Sequence, residues 1–512
     1  MLEESKILSE EAKAYYEQLT KEIDEFLTEY LPSEPNPPAS SPKVVHDGLW
    51  GTTKLNPTEI RFLDTPLIQR LRQIHQTGCS YFTFPSTTHT RFEHTLGVML
   101  KVEQLGEAII KNSEEKRLDQ KDIGQMRLAA LFHDIGHGPF SHTSEEIYGI
   151  MPHIECLRER FPGAKPHEIL GYLILTSPRF KAFCETGVDA NKTDVNPEKL
   201  ANYIVGQSRD LENPYKRELI NGPFDADKLD YLFRDSHFSG LPMSVDLDRL
   251  FYTVRIGEAK DKKNRLMVTL RGATALEQIL FSKMVLFSTV YQHHKVRACD
   301  CMFAGIIEYM QEHRIEMPLR GRTLKWNSPV DFLWVIDNEF LSFGFETDNG
   351  ELHALIHNLF FRRLLKRALI ISRRTVELKD NDRWDELQRH AKKSSNSAKK
   401  RRELAREIWK FAGKPCLPQE VWVDLPELPS MKAADDTFVL PSEGAEPITL
   451  NKLFPTGQWT SQYGLNKWRG HVFCPPQHRE IIGASAKKVL ESQYRIEILD
   501  EAFLRCKVKP PR

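Results

Sequence analysis

His133 and Asp134 stand side by side in the stretch ALFHDIGHGPFSHTSEE, residues 130–146, with His137, His142 and Glu145 close behind. Ionisable groups beside a hydrophobic run are costly unless they find partners, a metal or a hydrated cavity. Adjacent helical residues diverge by about 100°. His133 and Asp134 therefore grip one ion only where other segments complete the shell. His94 in RFEH and Asp227 in DADKLDY are the natural further donors. Two imidazoles and two carboxylates suit a divalent ion (Mn, Fe, Zn, Ni or Mg) and leave positions for water and phosphate oxygen. His137 follows His133 by one helical turn, which predicts a shared face. His142 and Glu145 come after the Gly138-Pro139 break, on the next helix. With His167 they form a second layer in which a carboxylate orients an imidazole for proton transfer. Arg91, Lys228, Tyr231 and Lys295 add cations and a phenol suited to polyanion oxygens. His89 taken alone reads as a satisfied core histidine, and Lys295 equally well as a surface side chain.

These residues sit in or beside helical patterns. HTLGVMLKVEQLGEAII, KDIGQMRLAALF, HEILGYLILTS, TPLIQRLRQI and ATALEQILFSKMVLFSTVYQHHKV carry apolar residues at three-and-four spacing, and RLMVTLRG reads as a strand. The fold class is mostly α, a helical core with a smaller α+β lobe at the C-terminal end. Residues 1–31 carry an amphipathic helix, 32–42 a proline-rich linker, 43–376 the catalytic body, 377–414 a charged helical segment and 415–512 the α+β lobe.

Over the 512 residues, 71 Lys and Arg balance 71 Asp and Glu, so no global field favours nucleic acid or an acidic tail. A nucleic-acid partner is possible through the basic run 399–402, but a solvated helix face is favoured. Eight scattered cysteines without a CxxC pair suggest reduced thiols, and no leader or apolar span of about 18 residues is expected. The chain reads as cytoplasmic, with no membrane partner.

In this order, RFEH, FHDIGHGPFSH and DADKLDY resemble the HD-domain phosphohydrolases. The surrounding FLDTPLIQRLRQIHQTG, FPSTTHTRFEHTLGV and VYQHHKVR are similar to the dNTP triphosphohydrolases related to the vertebrate sterile-alpha-motif and HD-domain enzyme, from about Lys43 to Lys366. No sterile-alpha-motif domain is expected ahead of it. The resemblance implies metal ligands His94, His133, Asp134 and Asp227. It implies catalytic roles for His137, His142, Glu145 and His167, and substrate contacts for Gln76, Arg91, Lys228, Tyr231, Asp235, Lys283 and Tyr291. In that family, water activated by the metal attacks the α-phosphorus and releases deoxynucleoside and intact tripolyphosphate. His142 is expected to protonate the leaving 5′-oxygen, and Asp235 and Gln76 to meet the sugar.

The resemblance also implies a regulatory nucleotide site of Lys43, Asp64, Gln69, Arg72, Arg249, Lys295, Arg362 and Lys366, and with it a homotetramer. Arg362 and Lys366 are expected on one helix face. Four positions depart from the family pattern. Glu145 replaces an aspartate, Lys283 an arginine and His46 an asparagine, and one extra residue precedes the His294-Lys295 pair. The expected activity is metal-dependent dNTP triphosphohydrolysis under nucleotide activation, serving nucleotide homeostasis or antiviral defence. Phosphodiesterase or nuclease action on other nucleotide phosphate esters, and a nucleotide-sensing or nucleic-acid-binding scaffold, are the alternatives.

Overall fold

The computed structural model describes residues 9–32, 41–113, 118–186, 195–207, 213–261, 263–378, 381–427, 436–442 and 444–511. Most of the proline-rich linker, residues 33–40, lies outside them. The Ser9 hydroxyl caps α1 (Glu10–Tyr30), accepting from Ala12 N at 3.2 Å. Its apolar stripe of Leu19, Ile23, Phe26 and Leu27 is fully buried in the main core, with Phe26 edge-on to Trp334 at 5.1 Å. A hairpin follows, β1 (Lys43–Asp47) and β2 (Gly51–Leu55), antiparallel with Lys43 opposite Leu55.

The helices that carry the chemistry are α2 (Arg91–Asn112), α3 (Gln120–Phe132), α4 (His142–Tyr148), α5 (Pro166–Thr176) and α6 (Ala226–Ser239). RLMVTLRG supplies a strand as expected. β4 (Asn264–Thr269) pairs with β3 (Val254–Glu258), and the sheet is extended by β7 (Phe438–Leu440), parallel to β4, and β8 (Ile448–Thr449). α7 (Ala273–Leu286) and α8 (His294–Glu312) complete the helical body. In the C-terminal lobe, β5 (Lys366–Ile371), β9 (Gly470–Cys474) and β6 (Trp422–Asp424) form a sheet ordered β5-β9-β6, backed by α9 (Ser395–Phe411) and α10 (Arg479–Tyr494).

Two apolar cores result, one running from Ala12 to Leu365 and rejoined by Val439, Leu450 and Phe473, the other from Ala368 to Val508. Among the described residues no helix is long and apolar enough to cross a membrane.

Local structure departs from the periodicity at four places. α3 ends at Phe132, so His133 caps it and His137 lies in the following turns, not on a shared helix face. TPLIQRLRQI forms only a short helix, Pro66–Gln69, and a 3-10 turn, Arg70–Gln73. The expected single helix through VYQHHKV breaks: α7 gives way to a π-helical turn, Phe287–Tyr291, and α8 starts anew at His294. Finally, Arg362 follows the helix Gly350–Phe360 in a left-handed conformation (φ 59°) and Lys366 opens β5, so they do not share a helix face.

Candidate active site

Four segments converge on one buried centre. Thr90 and Glu93 close a capping box on α2, which places Arg91 and His94 in its first turn. His133 and Asp134 follow the end of α3, and Asp227 lies in the first turn of α6, capped by Asp225. His133 Nδ1 is 2.6 Å from Ala130 O, and His94 Nδ1 is 2.7 Å from Asp230 Oδ2. With each Nδ1–H donated outward, both Nε2 lone pairs face inward, 3.2 Å apart. Asp227 Oδ1 is 3.1 Å from His94 Nε2, while Asp134 lies 3.6 Å from His94 Nε2 and 3.4 Å from His133 Nε2. Burial pushes the His94 imidazole down, yet Asp227 and Asp230 outweigh it and lift it to about 9. A pocket that draws a proton onto a buried imidazole is short of positive charge. The mixed nitrogen and carboxylate set therefore fits a divalent cation, with His94, His133 and Asp227 close enough to share one ion and Asp134 beside them.

Asp230 is the residue that sequence reasoning passed over. It accepts from His94 Nδ1, from Arg234 Nε and Nη2 at 2.8 and 2.9 Å, and from Trp50 Nε1 at 2.5 Å. The signal was present: Asp230 is three residues after Asp227 and four before Arg234, on one helix face. Gly97, one turn after His94, allows this approach, because a Cβ there would overlap Asp230 and Arg234.

Beside the centre, Glu145 joins two imidazoles, one oxygen each: His142 Nδ1 at 2.5 Å from Oε2 and His167 Nδ1 at 2.9 Å from Oε1. Burial opposes Glu145 ionisation, but His167 and His142 hold its carboxyl well below the usual range. The extra methylene relative to aspartate gives Glu145 the reach to serve both rings. His142 is 54% exposed, so this member of the pair faces the open side. His137 stacks on His167 at 3.9 Å, with Nε2 3.4 Å from Asp134 and a buried Nδ1 that has no partner among the described residues. Burial and Arg91 push it well below its ordinary value, so it is neutral.

Before α4 the chain runs through Phe140 and Ser141 at φ 54° and 52°, conformations unfavourable for non-glycine residues. Asp337 Oδ1 accepts from Phe140 N at 2.7 Å and Ser141 Oγ donates to His75 O at 2.5 Å, which holds this turn in place.

The expected substrate residues line the same centre with differing freedom. Arg91 donates to Asp134 at 2.7 Å, Ser141 Oγ at 2.9 Å and Gln76 O at 3.3 Å, so it orients the centre in this state. Gln76 Oε1 is buried without a partner among the described residues. Asp235 accepts from His89 Nε2 at 2.7 Å and from the Tyr291 hydroxyl, delivered by the π-helical turn. His89 is thus a satisfied buried histidine whose partner is a site residue. Burial keeps Tyr231 and Tyr291 as un-ionised phenols. Lys228 Nζ is tethered to Asp225 Oδ2 at 2.6 Å and Gly222 O at 2.8 Å. Burial, then Lys228 and Lys165, push Lys283 down to about 8. Lys165, absent from the sequence-derived set, pairs with Glu168 at 3.6 Å and is near enough to Lys283, Asp225 and Asp227 to interact with them electrostatically.

Each of the expected effector residues has local partners. Lys43 Nζ is 3.5 Å from Asp64, Arg72 donates to Gln69 Oε1 at 2.7 Å, and its guanidinium lies 3.6 Å over Phe92. Lys295, Arg362 and Lys366 share a second cationic patch with Arg479, whose mutual repulsion adds to burial in lowering Lys366. Arg249 pairs with Asp246 at 3.1 Å. In the basic run, Lys400 pairs with Glu403, Arg402 with Glu308, and Arg401 donates to His390 O and Lys392 O. Lys399 and Lys400 thus lie on an exposed helix face, whereas Arg401 and Arg402 depart from that expectation: they are half-buried and tie α9 to neighbouring segments.

The model for the HD domain matches residues 91–220. The chain is an HD-domain protein. The model of the HD associated region matches residues 245–497 of this HD-domain chain. Among curated relatives, an uncharacterized protein, MJ1154, from Methanocaldococcus jannaschii is 30% identical over 54% of this chain and 51% of its own. Deoxynucleoside triphosphate triphosphohydrolase SAMHD1 of Homo sapiens is 26% identical over 63% of this chain and 54% of its own. An uncharacterized protein, YwfO, from Bacillus subtilis is 26% identical over 60% of this chain and 66% of its own. The chain spans about half the length of the first two of these relatives.

Proposed function

We propose that this HD-domain protein hydrolyses deoxynucleoside triphosphates to deoxynucleoside and tripolyphosphate in a metal-dependent reaction, activated by a second nucleotide. The supporting observation is one buried centre in which His94, His133 and Asp227 are close enough to share a divalent ion, with Asp134 next to them, beside the His142–Glu145–His167 relay. When bound, a divalent cation supplies Lewis acidity and lowers the pKa of water. The chain's own residues do the rest. His142, exposed and anchored at Nδ1 by Glu145, presents Nε2 to the leaving 5′-oxygen and delivers a proton there. His167 and His137 stay packed behind it and exclude solvent. Lys228, Lys283 and Lys165 offer ammonium groups to the phosphates, Tyr231 a phenol donor, and Gln76 Oε1 and Asp235 acceptors to the sugar hydroxyl. Lys43, Asp64, Gln69 and Arg72 present one half of an effector site and Lys295, Arg362 and Lys366 another. As the family resemblance implies, the two sets are completed between copies, in a homotetramer.

The test is incubation with each dNTP, singly and in pairs, with Mn²⁺ or Mg²⁺, and product separation by ion exchange, with His133→Ala/Asp134→Ala as blank. Deoxynucleoside plus tripolyphosphate that disappears in the blank supports the reading. Monophosphates or shortened strands would replace it with phosphodiesterase or nuclease action.

A further inference from the structure

The helix that carries His142 and Glu145 is gripped from behind by charges that the reaction does not use. Glu146, next in sequence to Glu145, lies 3.4 Å from Arg297 of α8 and 3.1 Å from Lys393, in the segment before α9. Arg297 also meets Asp424, at the end of β6, at 2.8 Å and Asp300 at 3.2 Å. Asp300 in turn accepts from the hydroxyl of Thr143, the neighbour of His142, at 2.8 Å. Arg297 and Asp424 are only 15% and 4% exposed, so the pair is shielded from solvent screening. Burial opposes ionisation of Glu146, yet Arg297 and Lys393 keep its carboxyl well below its ordinary range. Thus α4, a helix of under two turns entered through two residues of positive φ, owes its placement to a guanidinium whose other partner belongs to the C-terminal lobe.

We infer that Arg297 is a positioning residue for the His142–Glu145–His167 relay, and that the C-terminal lobe, through Asp424 and Lys393, is part of the catalytic unit. This rests on the hydrolase reading for its kinetic consequence but not for its structural one. A strained short helix does not hold two imidazole-bearing contacts in register by its own hydrogen bonds. Three partners on two other segments, Arg297 and Asp300 of α8 and Lys393 before α9, fix its rotation. Removing the guanidinium leaves Glu146, Asp300 and Asp424 without their shared cation, with only Lys393 still on Glu146 and Thr143 on Asp300, and this frees α4 to turn and move Glu145 off His142 and His167. Loss of such a supporting contact typically costs about 10–100-fold in activity.

The full-length chain is tested as Arg297→Gln, Arg297→Lys and Asp424→Asn. Amide hydrogen exchange is read at residues 142–148 and at α3, and kcat and KM are measured on the fraction folded. For Arg297→Gln we expect about a 10–100-fold loss of kcat, KM within about twofold, and faster exchange at 142–148 with α3 unchanged. Arg297→Lys restores part of kcat, and Asp424→Asn falls between. Unchanged exchange at 142–148 together with full kcat overturns the inference, as does a loss that tracks global protection alone. Should wild-type protein release no tripolyphosphate, the hydrolase reading fails while the exchange comparison still decides the role of Arg297. If Arg297→Gln does not fold, Asp424→Asn carries the same comparison.

Discussion

Glu145 is the residue on which the proposed proton chemistry turns, since its two oxygens hold two different imidazoles. Replacing it by Gln keeps the shape but removes the charge that fixes both Nδ1–H groups. Glu145→Gln is expected to lower kcat by about 10²–10⁴-fold with bound metal unchanged, checked by turnover beside metal analysis. Lys283 gives a pH dependence of definite sign. Its free-state value is pushed down to about 8, so the ammonium is present below that pH and lost above it. Polyphosphate binding should weaken as pH rises through about 8, seen as a rising KM. Lys283→Arg, charged throughout this range, should flatten that limb. The types and order of these residues were legible in sequence because metal and acid–base chemistry restrict them to His, Asp and Glu. Asp230 and Lys165 were not, because orienting an imidazole or joining a lysine cluster depends on distances between helices.

At the level of elements, α2 and α6 bring His94 and Asp230 together only because Gly97 leaves room between them. Gly97→Ala should displace Asp230, release His94 Nδ1 and weaken metal binding by about 10–100-fold, measured by competition with a metallochromic chelator. α1 acts at longer range. Phe26 lies beneath Arg70, 5.8 Å from the guanidinium, and Arg70 donates to His137 O at 2.9 Å and Ile135 O at 2.7 Å, bracing the turn that carries the metal residues. Phe26→Ala should cost about 3–5 kcal/mol, read from denaturant unfolding. Long periodic helices were recoverable from sequence, since burial of one face imposes the 3.6-residue period. Helix ends were not. The stop at Phe132 and the π-helical turn before Tyr291 answer to tertiary demands, the first presenting His133 and Asp134, the second delivering a hydroxyl to Asp235.

For the whole molecule, a metal that ties α2, the turn after α3 and α6 together should stabilise the body containing all three. Chelation is expected to lower Tm, and reloading to restore it; at a free metal concentration a thousandfold above Kd the stabilisation is about 4 kcal/mol. The C-terminal lobe has its own core yet returns β7 to the sheet of the body and Asp424 to α8, so the lobes contact through strand pairing and buried charge.

The sequence by itself determined the helical class, the α+β character of the C-terminal end and which His, Asp and Glu residues are candidates for metal and acid–base chemistry, because residue chemistry and periodic burial are local properties. Tertiary structure alone decided which acids orient which imidazoles, that Arg362 and Lys366 come from a left-handed turn and a strand, and that Arg297 ties the relay to a distant strand. Those outcomes follow from distances between segments far apart in the chain. A carboxylate four residues away and one a hundred away are equivalent once folding has set them at hydrogen-bond distance.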